Sequence, residues 1–600
     1  MRFYFQLSFF LLLPFLGIAQ TYPDHFGTGQ YVGVSVSSSD EDADNSALNS
    51  VNGTGLTPDL VGAARFLAQA TMGYNYEQIE YVNQTGIDTW LEEQFETPMV
   101  SYAETYRMIY DSALAIIPEN DSEKNEYLSY TFYEMLVKQP DFLRHKIAFA
   151  LSQILVISPT TSNLGGRGFG NSDYYDILYQ GAFGNYRDML YDVTLHASMG
   201  VYLSIFQNRK ADFALGTYPD ENYAREIMQL FTIGLLELNN DGTKKLDANG
   251  NFIPTYNIKD VQELSKVFTG FACGATTNGS EPSFTKGKGA TDFTVPMTMY
   301  DGYHDTGEKK MIDGTILPSG QTGLQDVNNA IDVLFNHPNI APFISIRLIQ
   351  QLVKSNPSPA YVSRISDVFN NNGQGVRGDL KAVVKAILID PEARNCDLID
   401  TPQTGKLLQP IERLTNLFLA FDVSTPSGKI WFRDENKPGK TIEQAFLAAP
   451  SVFNFFSPFY AEKEFVQPAD MVSPEFQILN ATSGIHYLNT IEKAIKNRPF
   501  LNRTIANDSG LGLTYNSEDE PILDFTDEID LLNTQGISAL LDRLNLLLCR
   551  GQLSAAAKST IENTITQYQT TLSASNYPPK RAVQDAIYFI MISPNYMILK

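Results

Sequence analysis

Cysteine is scarce. Only Cys273, Cys396 and Cys549 occur in 600 residues, an odd count at long spacings that rules out a CxxC metal knuckle and a disulfide framework. One bridge could form in an oxidising compartment, and the spacing does not say which. Basic residues are also in deficit. Lys and Arg number 44 against 68 Asp and Glu, for a net charge of -24 and a pI near 4.7. A sequence-independent nucleic-acid binder needs a basic stripe to displace counterions, so no nucleic-acid partner is expected. Adsorption to an anionic membrane is disfavoured for the same reason. Beyond the N-terminus no apolar run approaches the ~18 residues of a membrane span, so no transmembrane segment is expected. Tryptophan occurs twice, yet 37 Phe and 31 Tyr bring the aromatic share to 12%, within a hydrophobic share of 43%. That is enough apolar material for a large packed core.

The first residues read MRFYFQLSFFLLLPFLGIAQ. Arg2 supplies a minimal positive start, Phe5 to Phe15 a short apolar stretch, and Gly17-Ile18-Ala19 a small-x-small site, so residues 1–19 read as a removed secretory signal. No cysteine follows to carry a lipid. Residues 20–56 contain SVSSSDEDADNSALNSVNGTG, too polar to offset the entropy of ordering, and read as a disordered leader. The expected localisation is therefore exported, periplasmic or extracellular.

From residue 57 to 600 helical periodicity dominates. TPDLVGAARFLAQATMG offers a Thr cap, Pro at the first helical position and a terminal Gly. DFLRHKIAFALSQILVIS, NIKDVQELSKVFTGF and RAVQDAIYFIMIS keep the same period. Two β-rich excursions interrupt it. The first, about 236–256, carries the turn dipeptides Asp241-Gly242 and Asn249-Gly250. The second, about 291–317, alternates Phe293, Val295, Met297 and Met299 before an Asp313-Gly314 turn. The expected fold is mainly α, one large multi-helix domain with short β-hairpin excursions.

Most of the chemistry concentrates in YPDENYAREIMQLFTIGLLEL, residues 218–238. At roughly 100° per residue, Tyr223, Ala224, Ile227, Met228, Leu230, Phe231 and Leu235 share one half of a helical wheel. Glu221, Asn222, Arg225, Glu226, Gln229 and Thr232 share the other. Glu221 and Arg225 stand four residues apart, as do Asn222 and Glu226, so each pair is adjacent on the helix surface. A solvated amphipathic face, a clamp against neighbouring helices and the floor of a cleft all fit this pattern.

Several segments, in order, resemble a bacterial family catalogued only as a domain of unknown function, DUF1800. They are AARFLAQATMG with GIDTWLEEQF, LRHKIAFALSQILVIS, ENYAREIMQLFTIGL, DVQELSKVFTGF, HDTGEKKMIDGTILPSG, HPNIAPFISIRLIQQLV, APSVFNFFSPFYA and IYFIMISPNYMIL. Together they span roughly Leu60 to Lys600. The resemblance implies an exported bacterial protein and a companion resembling the alkaline-phosphatase superfamily. It carries over Glu221, Asn222, Arg225 and Glu226 as a recurrent cluster. Many members have His where this chain has Phe231 and Trp where it has Phe271, so no mechanism needing a ligand at either place is expected.

The loop HDTGEKK adds His304, Asp305 and Lys309. A histidine can shuttle protons or bind metal near neutral pH, although a hydrogen bond to its neighbour Asp305 is the simpler reading. Folded over the 221–226 face, this loop would place Glu221, Glu226 and His304 as catalytic groups of a hydrolytic site that allows a divalent metal. Asn222, Arg225, Asp305, Lys309 and Arg144, from the basic run Arg144 to Lys146, would bind or clamp, with Arg144 a candidate countercharge for Glu221 or Glu226. His196 and His337 read as structural. GGRGFG, 165–170, does not join a strand to a helix and reads as a loop rather than a phosphate cradle. LDANGN lacks the Gly and the twelfth-place Glu of a calcium loop and reads as a hairpin turn. The aromatic run APSVFNFFSPFY reads as core. There is no G-x-S-x-G, no H-E-x-x-H, no Walker loop and no nucleotide or haem signature. The expectation is a binding protein for a partner or an envelope polymer. The alternative is a hydrolase with an acidic, His and Arg cleft.

Overall fold

The computed structural model describes residues 59–116, 123–160, 163–394, 404–432, 442–461, 471–496 and 520–600. The proposed signal, the polar leader and Cys396 lie outside them. The described residues hold 23 α-helices and three two-stranded antiparallel sheets, a mainly α fold with small hairpins. β1 (Phe271–Ala272) pairs with β2 (Thr298–Met299), β3 (Lys309–Lys310) with β4 (Ile316–Leu317), and β5 (Lys406–Leu407) with β6 (Ile598–Leu599). Among the described residues no helix is long and apolar enough to cross a membrane.

Local chemistry sets many helix starts. Asn257 with Asp260 and Thr322 with Gln325 form reciprocal capping boxes, each satisfying two orphan backbone donors. The helix Leu60–Ala70 begins at Asp59, whose Oδ1 accepts from Gly62 N at 2.8 Å, and stops at Thr71. The expected Thr57 cap and Pro58 fall outside the described residues. Apolar faces from Ala63 to Leu599 merge into one contiguous buried cluster. Its two ends are tied together: Arg65 donates to the carbonyls of Lys600 at 2.9 Å and Arg394 at 3.3 Å.

The excursions are less strand-like than their alternation suggests. Residues 236–256 make only isolated bridges, Leu236 with Pro254, Leu238 with Lys244 and Leu246 with Phe252. Asp247 Oδ1 closes the last turn by accepting from Asn249 N and Asn251 N at 2.8 and 2.9 Å. Of the 293–299 alternation only Thr298–Met299 pairs as strand, because Pro296 interrupts the donor series. GGRGFG keeps its reading as a loop over residues 165–167 and departs from it at 168–170. Gly168 begins the helix Gly168–Gly181, where a Cβ would stand 1.8 Å from the Tyr106 hydroxyl; at Gly170 one would stand 2.2 Å from Phe293 Cβ. Close packing, not mobility, demands those glycines.

Candidate functional site

The 218–238 segment is not one α-helical rod. An α-helix covers Asn222–Glu226, and a π-helix follows over Ile227–Thr232. The wider turn suits the side chains that engage its carbonyls: Thr232 Oγ1 donates to Ile227 O at 2.6 Å, and Tyr186 Oη to Phe231 O at 2.7 Å. The wheel therefore holds for Met228 and Phe231, both fully buried, and fails at two positions. Leu235, placed on the apolar half, is 56% exposed, whereas Thr232, placed on the polar half, is fully buried. Segments of π-helix recur at functional sites.

At the start of this helix Asp220, not Glu221, acts as the local cap, its Oδ1 accepting from Asn222 N at 2.8 Å. Glu221 and Arg225 form an i,i+4 pair at 3.1 Å with both side chains partly exposed, a contact worth about 0.3–0.5 kcal/mol. Glu226 differs. It is buried, its Oε2 is sealed without a hydrogen-bond partner, and burial raises its carboxyl above the ordinary range against the pull of Arg225. Tyr256 lies close enough to feel that carboxylate, and its own hydroxyl donates to Gln229 Oε1 at 3.4 Å.

A raised acid stabilises the fold below the pKa of the unfolded chain and loses that contribution as pH climbs through the folded pKa. Glu226→Gln is therefore expected to flatten the loss of stability above the ordinary carboxylate range. Urea midpoints of both proteins from pH 4 to pH 8 check it. Parallel pH profiles would show that Glu226 does not titrate abnormally.

His304 sits elsewhere. It is fully buried, with Nδ1 2.9 Å from Thr269 O and Nε2 3.0 Å from Asp326 Oδ2. Its partner is thus Asp326 rather than Asp305, because Asp305 Oδ1 instead accepts from Gly307 N at 2.9 Å and shapes the turn. Lys309 completes the cluster, its Nζ 2.6 Å from Asp326 Oδ2 and bonded to the carbonyls of Asp305 and Gly307. This buried group, in which Asp326 Oδ1 lacks a hydrogen-bond partner, fastens the 301–317 part of the second excursion to the helix Gly323–Asn336. No hydrogen bond or ion pair joins it to the 221–226 face.

Arg144 also departs from its expected place. It pairs with Asp141 at 3.8 Å, lies over the Phe183 ring at 4.4 Å and donates to the carbonyls of Tyr179 and Thr97. It gives no countercharge to Glu221 or Glu226. His145 turns to Asp141 and Tyr102, and Lys146 to Glu412. His196 caps Ser198 N, and His337 receives Asn339 N.

Lys146 leads to a buried cluster that sequence reading missed. Lys146, Glu412, Lys406 and Glu475 alternate in sign, all at most 3% exposed, with Lys406 3.8 Å from Glu412 and 3.4 Å from Glu475. Gln351, Gln409 and Gln444 form a hydrogen-bonded chain beside it. Burial alone would raise the Glu412 carboxyl, but two ammonium groups hold it below the usual range. Burial lifts Glu475, and its Oε2 has no partner. The capping-box spacing Gln409 to Glu412 was visible in the sequence; its lysine partners were not.

The run APSVFNFFSPFY divides. Phe456 is buried, as expected of core, whereas Phe453 and Phe459 are 54% and 44% exposed. Cys273 and Cys549 are buried free thiols. Among the described residues, no group of three or more His, Cys, Asp or Glu side chains could hold a metal ion.

Comparison with curated proteins and with solved structures gives no match. A family model described as protein of unknown function (DUF1800) matches residues 65–598. A match over nearly the whole chain, with the Glu221–Glu226 signature and the buried clamps inside it, places the protein in the DUF1800 family.

Proposed function

We propose that the protein acts outside the cytoplasm by docking a partner protein through the turn at residues 212–218. What supports this reading is a rigid apolar projection. Phe213, Leu215 and Tyr218 are 81%, 76% and 71% exposed, and the Phe213 and Tyr218 rings meet edge to face. The turn that presents them is fixed: Asp212 and Thr217 pair across it, and Asp212 Oδ1 accepts from Ala214 N and Leu215 N. Clustered exposed apolar groups on an ordered turn have no folding role, and aromatic anchors dominate binding energy at protein interfaces. The companion resembling the alkaline-phosphatase superfamily is the partner we propose, and the apolar segment at residues 1–19 is the proposed export signal.

The combined change Phe213→Ser, Leu215→Ser and Tyr218→Ser is expected to weaken capture of that companion at least tenfold. Stability should stay within about 0.5 kcal/mol of wild type, as for exposed positions. Undiminished capture by the triple variant would overturn the reading.

One observation favours a second reading as a hydrolase: the unsatisfied Glu226 carboxyl beside Arg225 and Tyr256. A carboxyl raised by burial in this way suits general acid–base work, with or without a divalent metal. Hydrolysis of ester or glycoside substrates that disappears in Glu226→Gln would support it; equal rates in both proteins would remove it.

A further inference from the structure

Arg347 stands in the middle of the helix Ile340–Leu352 and is 9% exposed. Among the described residues no carboxylate pairs with it and no acceptor takes a hydrogen bond from it. Three other buried cations here are matched, and a fourth, Arg413, leaves its Nε and Nη1 without a hydrogen-bond partner. Lys354 meets Glu392 at 2.7 Å, Lys309 meets Asp326, Arg550 donates to the carbonyls of Leu548, Asn595, Tyr596 and Ile598, and Arg413 lies over the Tyr487 ring at 4.3 Å. With 68 acids in the chain, a countercharge was readily at hand, yet none is placed at this guanidinium.

Gln351 and Tyr186 nearby are already committed, whereas Gln350 commits only its Nε2 and keeps Oε1 sealed without a partner. On the same helix face, Gln350 Nε2 donates to Ser355 O and Pro458 O, and Gln351 Oε1 accepts from Gln409. The Tyr186 hydroxyl, whose phenol feels the Arg347 charge, gives its proton to Phe231 O on the π-helix. Phe343, one turn before Arg347, presses on Gly234 just past that π-helix. The nitrogens of Arg347 are not among the sealed, partnerless polar atoms, unlike those of Arg413 and Arg550. Its nitrogens are therefore not fully sealed from solvent.

An arginine does not shed its charge at neutral pH, and burying that charge without a partner costs several kcal/mol. Its planar fork matches the two oxygens of a carboxylate, phosphate or sulfate. We propose that Arg347 is the floor of an anion-binding site beside the π-helix, which takes one oxyanion group of a ligand in bidentate fashion with the Tyr186 hydroxyl at its edge.

The test titrates acetate, inorganic phosphate and sulfate into the full chain at constant ionic strength, with chloride as control, and reads melting temperature and calorimetric heat. Saturable stabilisation by at least one oxyanion is expected in the wild type, and whether acetate or the tetrahedral ions saturate tells a carboxylate ligand from a phosphate or sulfate one. Arg347→Met should abolish that response while melting no lower than wild type in chloride alone. Should Arg347→Met fail to fold, Arg347→Lys keeps the charge and loses the fork, and binding at least tenfold weaker is expected of it. Stabilisation that never saturates, an adventitious ion only, or equal affinity in the substituted proteins would overturn the proposal.

Discussion

Glu412→Leu is expected to destabilise the protein by about 3–5 kcal/mol, the usual cost of stranding a buried charge by removing its partner. Glu412 stands between Lys146 and Lys406, and all three are at most 3% exposed. Without it two ammonium groups would face each other with Glu475 as their only anion. The same carboxylate also accepts from Gln409 N at 2.9 Å, so the start of the helix Pro410–Ala420 loosens too. Glu412→Gln retains the shape and that backbone bond and should lose less. Adding Lys146→Met to Glu412→Leu should recover part of the loss, with a coupling above ~0.5 kcal/mol in a double-mutant cycle. Equilibrium urea denaturation measures both. A Glu412→Leu protein as stable as wild type would show that these charges do not hold the helices together.

Asp326→Asn is the second large effect, at about 3 kcal/mol. Asp326 is fully buried and serves His304 and Lys309 together, while Lys309 keeps only two backbone carbonyls besides it. Because the cluster fastens the 301–317 excursion to the helix Gly323–Asn336, the loss should be local. Hydrogen exchange of β3 and β4 is expected to accelerate far more than that of the helix Ile340–Leu352. A uniform acceleration would mean the cluster supports the whole core instead of one excursion.

The balance between what the sequence disclosed and what it withheld follows the range of each interaction. Capping boxes at Asn257 and Thr322 lie within four residues and obey a local code, whereas the one start read from the sequence, a Thr57 cap, lies outside the described residues and the helix begins at Asp59. The Asp247 turn obeys a local code too and was legible. The partners of His304 and Lys146 were not: Asp326 lies 22 residues away, and Glu412 lies 266. A neighbouring Asp305 was the natural guess for His304, yet its side chain is spent on its own turn. The π-helix escaped because six residues are too few to separate its spacing from that of an α-helix. Arg347 sits unremarked in an apolar run, and only burial without a partner sets it apart.

The union of Arg65 with Lys600 spans 535 positions, and β5 waits for β6. During synthesis, then, this tie and the β5–β6 pair cannot close until residues 598–600 have been made, whereas the helix Leu60–Ala70 can pack on the helix Tyr76–Thr85 as soon as both exist.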